Sequence, residues 1–289
     1  MTRYLITGAH GMLGRDLQAA LAAAPGERHV TALGRAELDI TDPQACTAAV
    51  AGHDVVLNAA AYTAVDAAET DEEAAHLVNA IGAENLAAAS RAAGAVLVQY
   101  STDYVFDGAQ AEPYDEDAPL APVSAYGRTK ADGERRARAA HPEGTIIVRT
   151  AWLYGEHGPS FVRTMMRLYR EHGRLTVVDD QHGQPTWTRD LAEQTVRFLD
   201  GGVRSATLHG TSSGSTTWHG FAQAIVEHLG GDPSVVRPVS SAEYPRPAAR
   251  PHYSILGHEG WKRLGIQPIR AWDLALPEAL VRIARQPAE

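Results

Sequence analysis

Thiol chemistry is nearly absent from this chain, which has one cysteine, Cys46, among 289 residues. No internal disulfide can form, and the alanine-rich surroundings of Cys46 read as a helix in which a small half-buried residue is the plain explanation. Long apolar runs are missing too. None approaches the roughly 20 residues needed to cross a bilayer, and Met1 leads directly into Arg3-Tyr-Leu-Ile-Thr without the apolar core of a secretory signal. The expectation is a cytoplasmic protein with no membrane partner. Positive charge is in deficit, 26 Lys and Arg against 35 Asp and Glu for a net charge of −9, which argues against a nucleic-acid surface. An anionic small molecule would have to be met by local arginines inside a pocket. With 44% apolar and 21% charged residues, the chain has the composition of an ordinary globular protein. Its length suits one large α/β domain or a nucleotide domain with a smaller partner.

The first half alternates aliphatic runs with alanine-rich stretches. Strands are expected at 3–7, 28–33, 54–58, 95–101 and 145–150, and helices near 12–24, 43–51, 71–93 and 124–140. Asp54-Val-Val-Leu-Asn58 and Val96-Leu-Val-Gln-Tyr100 are apolar without strict alternation, as in strands covered on both faces. This pattern predicts a doubly wound parallel sheet of the Rossmann kind, with its ligand crevice at the carboxyl ends of the strands. Beyond about residue 150, proline, glycine and histidine become frequent, and helical periodicity returns only at 160–172, 188–201, 216–229 and 271–285. The chain is therefore expected to divide into a dinucleotide-binding domain over 1–150 and a smaller, irregular substrate-binding domain over 151–289. Elements at about 175–204 are expected to return to the first.

Gly8-Ala-His10-Gly11-Met12-Leu13-Gly14 follows the first predicted strand and opens the first helix. Gly8 permits a tight turn, Gly11 lets the backbone approach a pyrophosphate, and Gly14 allows close helix packing. At the end of the second strand, where a carboxylate would accept the ribose hydroxyls of NAD, stands Leu33-Gly34-Arg35. Arg35 either pairs with the extra phosphate of NADP or is simply an exposed turn residue. The cofactor expected is NADPH, with NADH left open. Asp39 and Ile40 are placed to contact adenine, and Ala59, Ala60 and Ala61 end the third strand with side chains small enough to admit a cofactor or to pack closely.

Tyr126 and Lys130 stand four residues apart, on one face of a helix. Ser101-Thr102-Asp-Tyr104 ends the preceding strand and brings a hydroxyl to the same crevice. The chemistry that fits is carbonyl reduction, with Tyr126 as proton donor, Thr102 on the carbonyl oxygen, and Lys130 lowering the phenol pKa while reaching the cofactor ribose. Tyr126 and Lys130 are then cofactor contacts as well as catalytic groups.

These strings, together with Asn58-Ala-Ala-Ala-Tyr-Thr63-Ala-Val65-Asp66, Arg149-Thr-Ala-Trp152-Leu-Tyr154 and Asp180-Gln-His-Gly-Gln-Pro-Thr186, resemble the dTDP-4-dehydrorhamnose reductase family over nearly the whole chain. The resemblance implies an extended short-chain reductase fold and reduction of the 4-keto group of a dTDP-4-keto-6-deoxy-L-hexose to give dTDP-L-rhamnose. It implies Thr63, Val65, Tyr104 and Trp152 as sugar contacts, Trp152 being otherwise a core residue. It suggests Arg250 for the substrate phosphates, where loop solubility is the alternative. Some members of that family form dimers bridged by magnesium through glutamates, at positions that align here with Arg15 and Arg189. Arginine cannot ligate Mg²⁺, so no metal is expected, and the chain is expected to be a monomer or a dimer of another kind. Two other readings stay open: a 4-ketoreductase for a different dTDP-deoxysugar, and an NADP-binding regulatory subunit without turnover.

Overall fold

A computed structural model describes residues 1–285. Strands β1 (Thr2–Thr7), β2 (Arg28–Leu33), β3 (Val55–Asn58), β4 (Val96–Thr102), β5 (Thr145–Thr150) and β6 (Ala206–His209) form one parallel sheet in the order β6-β5-β4-β3-β1-β2. The chain leaves β1 for β2 on one side and returns through β3 on the other, so the sheet reverses its winding direction between β1 and β3. A crevice opens at that point.

The period-two alternation of a strand splits the core into two layers. Tyr4 and Ile6 face the layer of α1 (Met12–Ala23), with Leu13, Leu17 and Leu21. Leu5 faces the opposite layer, with Val50 of α2 (Pro43–Val50) and Leu86 of α3 (Gly82–Ala93). Each fully buried leucine contributes roughly 2 kcal/mol by leaving water. Cys46 lies in this second layer, its thiol pushed up to about 12 by burial, which leaves it an inert core residue.

The helix expected over 71–93 is not uniform. Glu72–His76 is α-helical, Leu77–Ile81 is a π-helical turn, and Gly82–Ala93 resumes the α form. The π turn turns Asn79 inward, and Asn79 is 2% exposed. On the same layer runs α4 (Ala125–Ala140), capped by the Ser124 side chain, which accepts from the Gly127 N–H at 3.1 Å.

In the second half, α5 (Phe161–His172), α6 (Thr188–Asp200), α7 (Trp218–His228) and α8 (Trp272–Arg285) appear near their expected places. The unexpected element is β6. Ala-Thr-Leu-His is too short and too polar to announce a strand, yet it pairs with β5 at the sheet edge. Within the 175–204 stretch, Leu191 and Phe198 of α6 join the core around α1, while Leu175–Val178 pairs with Val236–Val239 instead. Around that second pair a separate cluster gathers Val162, Met166, Trp187, Phe221, Ile225 and Leu276.

Candidate active site

The glycine loop is shaped by contacts that only glycine permits. Gly8 has φ +64, and a Cβ there would lie 2.6 Å from the Ala60 nitrogen. A Cβ on Gly14 would lie 2.4 Å from the Gly8 carbonyl oxygen. The ends of β1 and β3 are therefore joined backbone to backbone, at the reversal point of the sheet. Gly11 is the least crowded of the three, its nearest neighbour being the Gly8 oxygen at 3.3 Å. It caps α1 without a side-chain hydrogen bond, and the first turn holds no acidic residue. The N–H groups and positive dipole of α1 are thus left for an anion, and the cradle fits a dinucleotide pyrophosphate. Met12 and Leu13 begin the helix. Leu13 is buried in the core, and Met12 lies beneath Gly155, with its Cγ 3.2 Å from where a Cβ on Gly155 would stand.

Asn58 organises the sheet beneath this loop. Its Oδ1 accepts from the Thr7 hydroxyl at 2.6 Å and the Ala60 N–H at 3.2 Å, and its Nδ2 donates to Gln99 Oε1 at 2.6 Å. Gln99 in turn donates to the Tyr100 carbonyl at 3.0 Å. Ala59 and Ala61 continue the same backbone, half-buried. Asp39 is exposed, its carboxyl held below the usual range chiefly by the Thr41 hydroxyl and N–H, with the Arg35 charge adding a little. The Ile40 side chain goes to the core, where a Cβ on Gly82 would meet it at 2.6 Å, and its carbonyl accepts from Asn85 Nδ2 at 3.1 Å. Arg35 is exposed at the end of β2.

Leu33-Gly34-Arg35 promised no carboxylate at this point, and the fold supplies one. The end of β2 does have a carboxylate, because Glu37 folds back three residues and its Oε2 accepts from the Gly34 N–H at 2.9 Å. The His10 ring stands beside it, Nε2 to Oε2 3.6 Å. Spacing alone hides this, since the carboxylate arrives through the turn and not along the strand.

Thr102, Tyr126 and Lys130 come together at the carboxyl end of β4. Thr102 is 6% exposed and Lys130 4%, while Tyr126 is half-buried. The Lys130 ammonium donates to the Tyr100 carbonyl at 2.6 Å, and burial lowers its pKa to about 8, with Glu134 opposing. Burial raises the Tyr126 phenol, while its hydrogen bond with Thr102 pulls it back and the Asp103 charge adds to the rise. This differs from the lowered phenol expected from the sequence, because burial is the largest influence on the phenol and outweighs the hydrogen bond with Thr102. The Thr102 hydroxyl donates to Asp103 Oδ1 at 2.9 Å. Asp103 is 2% exposed, and burial pushes its carboxyl up to about 6 against hydrogen bonds from Ser254 and Thr102.

Beyond this triad, Tyr104 meets Tyr126 edge to face with ring centroids 5.7 Å apart. The Arg250 guanidinium lies 5.9 Å from the Tyr104 centroid and pairs with Asp66 at 2.9 Å. Arg250 therefore meets the crevice already half neutralised. Thr63 is exposed in the loop after β3, and Val65 opens the short helix Val65–Ala68. That loop is pinned by Asn79, whose Oδ1 accepts from the Tyr62 N–H at 2.9 Å and whose Nδ2 donates to the Thr129 hydroxyl at 3.1 Å. Nothing in the sequence marked Asn79 except a polar residue within a helical stretch.

Trp152 has φ +47, the one positive φ of a non-glycine residue among the described residues. Such a conformation persists only where the surroundings impose it. Here its indole stacks on Trp218 with centroids 3.5 Å apart and planes 8° from parallel, and Gly183 leaves room for its edge. Trp218 escaped the sequence reading because it comes from a helix 66 residues further on. Arg15 is exposed on the first turn of α1, donating to the His10 carbonyl at 3.2 Å, and Arg189 pairs with Glu193 at 3.0 Å.

The chain matches the model of the RmlD substrate binding domain over residues 2–285. A dTDP-4-dehydrorhamnose reductase of Streptomyces griseus is 49% identical, the match covering 96% of this chain and 92% of that one. A Streptomyces antibioticus protein named as a probable dTDP-4,6-dihydroxy-2-methyloxan-3-one 4-ketoreductase is 51% identical, over 96% and 94%. Among solved structures, dTDP-4-dehydrorhamnose reductase of Bacillus anthracis in complex with NADP superposes with a TM-score of 0.92 at 38% identity, covering 97% of this chain and 99% of that one.

Proposed function

From the membership of this chain in the RmlD substrate binding domain family, we propose that it reduces the 4-keto group of dTDP-4-dehydrorhamnose to give dTDP-L-rhamnose, with NADPH as the hydride source. The chain is an oxidoreductase, as its relatives are. The observation that carries the assignment is the gathering of Thr102, Tyr126 and Lys130 at the carboxyl end of β4, on the same edge of the parallel sheet as the glycine loop that follows β1.

NADPH, when bound, supplies the hydride to the carbonyl carbon. Tyr126 gives its phenolic proton to the carbonyl oxygen, and the raised phenol pKa keeps that proton in place at neutral pH. Thr102 orients the oxygen toward the phenol. Lys130, largely charged at neutral pH with a pKa of about 8, offsets the tyrosinate that remains and reaches toward the cofactor ribose. Gly8, Gly11, Gly14 and the start of α1 hold the pyrophosphate. Trp152 covers the apolar face of the sugar, with Thr63, Val65 and Tyr104 around it. Arg250, steadied by Asp66, faces the substrate diphosphate.

A second reading, a 4-ketoreductase for another dTDP-deoxysugar, is favoured by the 51% identity to the S. antibioticus protein. The test supplies enzymatically prepared dTDP-4-keto-6-deoxyhexoses of both C5 configurations and follows NADPH loss and the sugar product. The L-configured ketone is expected to have the higher kcat/KM, and a preference for the other would move the assignment to the second reading. Tyr126→Phe is expected to lower kcat by about 10²–10⁴-fold with NADPH binding intact. A variant turning over at the normal rate removes Tyr126 as the proton donor.

A further inference from the structure

Apart from the catalytic groups, a cavity of about 650 Å³ opens between α1, the loop 156–160, α5 and the end of α8. Small-molecule sites have this size, roughly 300–1,000 Å³. Gly8, Gly11, Gly14, Thr102, Tyr126 and Lys130 take no part in lining it. Its walls carry four arginines, Arg15, Arg163, Arg167 and Arg170, against two carboxylates, Glu156 and Glu171. This local excess of positive charge stands in a chain whose net charge is −9.

The fold does not use up these cations. Arg167 pairs with Glu171 at 2.9 Å, and Glu156 is approached from outside the cavity wall by Arg282 at 3.9 Å. Arg15 and Arg163 donate to backbone carbonyls, those of His10 and Glu156, and keep their charge. Among the described residues, neither they nor Arg170 make an ion pair. Arg163, Arg167 and Arg170 follow one another at intervals of four and three along α5, which puts them on one face, where like charges repel. Arg170 in the last turn suits the helix dipole, but Arg163 in the first turn opposes it. Helix stability therefore does not account for the row, and an anion bound over it removes the repulsion. Beneath the arginines the cavity reaches Met166 and Ile283, which are 3% and 2% exposed. A charged rim thus stands over an apolar floor.

We propose that this cavity is a second ligand site, which binds a nucleoside oligophosphate with its phosphates against the arginines and its base over Met166 and Ile283. Guanidinium groups match phosphate oxygens with planar, bidentate hydrogen bonds, and several of them together suit a chain of phosphates better than a single one. A bare inorganic anion satisfies the rim and leaves the floor uncovered, whereas a base attached to the phosphates covers both. The site is independent of the reductase reading, since it shares no residue with the triad or the glycine cradle.

The test is calorimetric titration of ATP and of inorganic tripolyphosphate, without divalent cations, into the full chain, into Arg170→Gln and into the double variant Arg167→Gln/Arg170→Gln. Both substituted side chains are exposed, and thermal unfolding without ligand is expected to give the three proteins the same midpoint. ATP is expected to bind the wild type about tenfold more tightly than tripolyphosphate, and to lose about tenfold in affinity for each arginine removed. Tripolyphosphate bound as tightly as ATP overturns the nucleoside part of the proposal. ATP bound equally well by the wild type and the double variant puts the nucleotide elsewhere, in the crevice, and overturns the site. A wild-type chain that binds neither probe overturns it as well.

Discussion

At one end of the crevice, Gly8, Gly14 and Ala60 meet through backbone atoms of two adjacent strands and one turn. At the other, Asp66, Tyr104, Trp152, Trp218 and Arg250 arrive from five separated segments and meet through side chains. The first construction suits a ligand part that never varies, a pyrophosphate, because backbone N–H groups on a packed strand end have nowhere to move. The second suits a part that differs between relatives, because single side chains can change shape or charge without disturbing the sheet.

The contrast predicts where substitutions hurt the fold and where they alter only recognition. The largest effect is expected at Gly8→Ala, which combines an unfavourable positive φ with a Cβ close to the Ala60 nitrogen. It should cost on the order of 3 kcal/mol of stability by denaturant unfolding, together with nucleotide binding. Gly11→Ala, with only the Gly8 oxygen at 3.3 Å, should keep the fold and lose affinity alone. Equal stability of the two variants would break the comparison.

Asp103 sits between the two ends, and its effect should depend on pH. Its folded pKa, about 6, lies above the unfolded value of about 3.9. Between those values the native state binds more protons than the unfolded one, so stability falls as pH rises from 4 to 6, and the buried charge remains a cost at neutral pH. Asp103→Asn should therefore raise stability at pH 7.5 by on the order of 2 kcal/mol, with the gain shrinking below pH 6. A gain that does not change with pH would show that burial of the charge is not the cause.

The smallest effect is expected at Trp218→Ala. Losing the stacked partner of Trp152 should raise KM for the sugar nucleotide severalfold, in line with about 1 kcal/mol for an aromatic pair, while the affinity for NADPH stays unchanged. A matching loss of NADPH affinity would mean that the two ends are coupled and not independent.

The legibility of the molecule follows the same division. Strands β1 to β5, the glycine loop and the Tyr126–Lys130 face could be read because each depends on residues within a few positions of one another. The π turn at Leu77–Ile81 was hidden, since a helical period tolerates one extra residue without a change in composition. β6 was hidden because an edge strand of four residues owes its conformation to β5 and not to its own side chains. Cys46, expected as a small half-buried helix residue, is helical but fully buried in the core, a difference that only the packing of the second layer decides.

Local sequence determined the sheet, its switch point and the chemistry gathered at the end of β4, because period-two and period-3.6 patterns and short glycine spacings act over distances the chain itself sets. Tertiary structure alone decided that Glu37 turns back over Gly34, that Asp66 holds Arg250 across 184 residues, and that Trp218 holds Trp152 in a strained conformation. In each of these cases the partner is chosen by packing in space, which no spacing along the chain encodes.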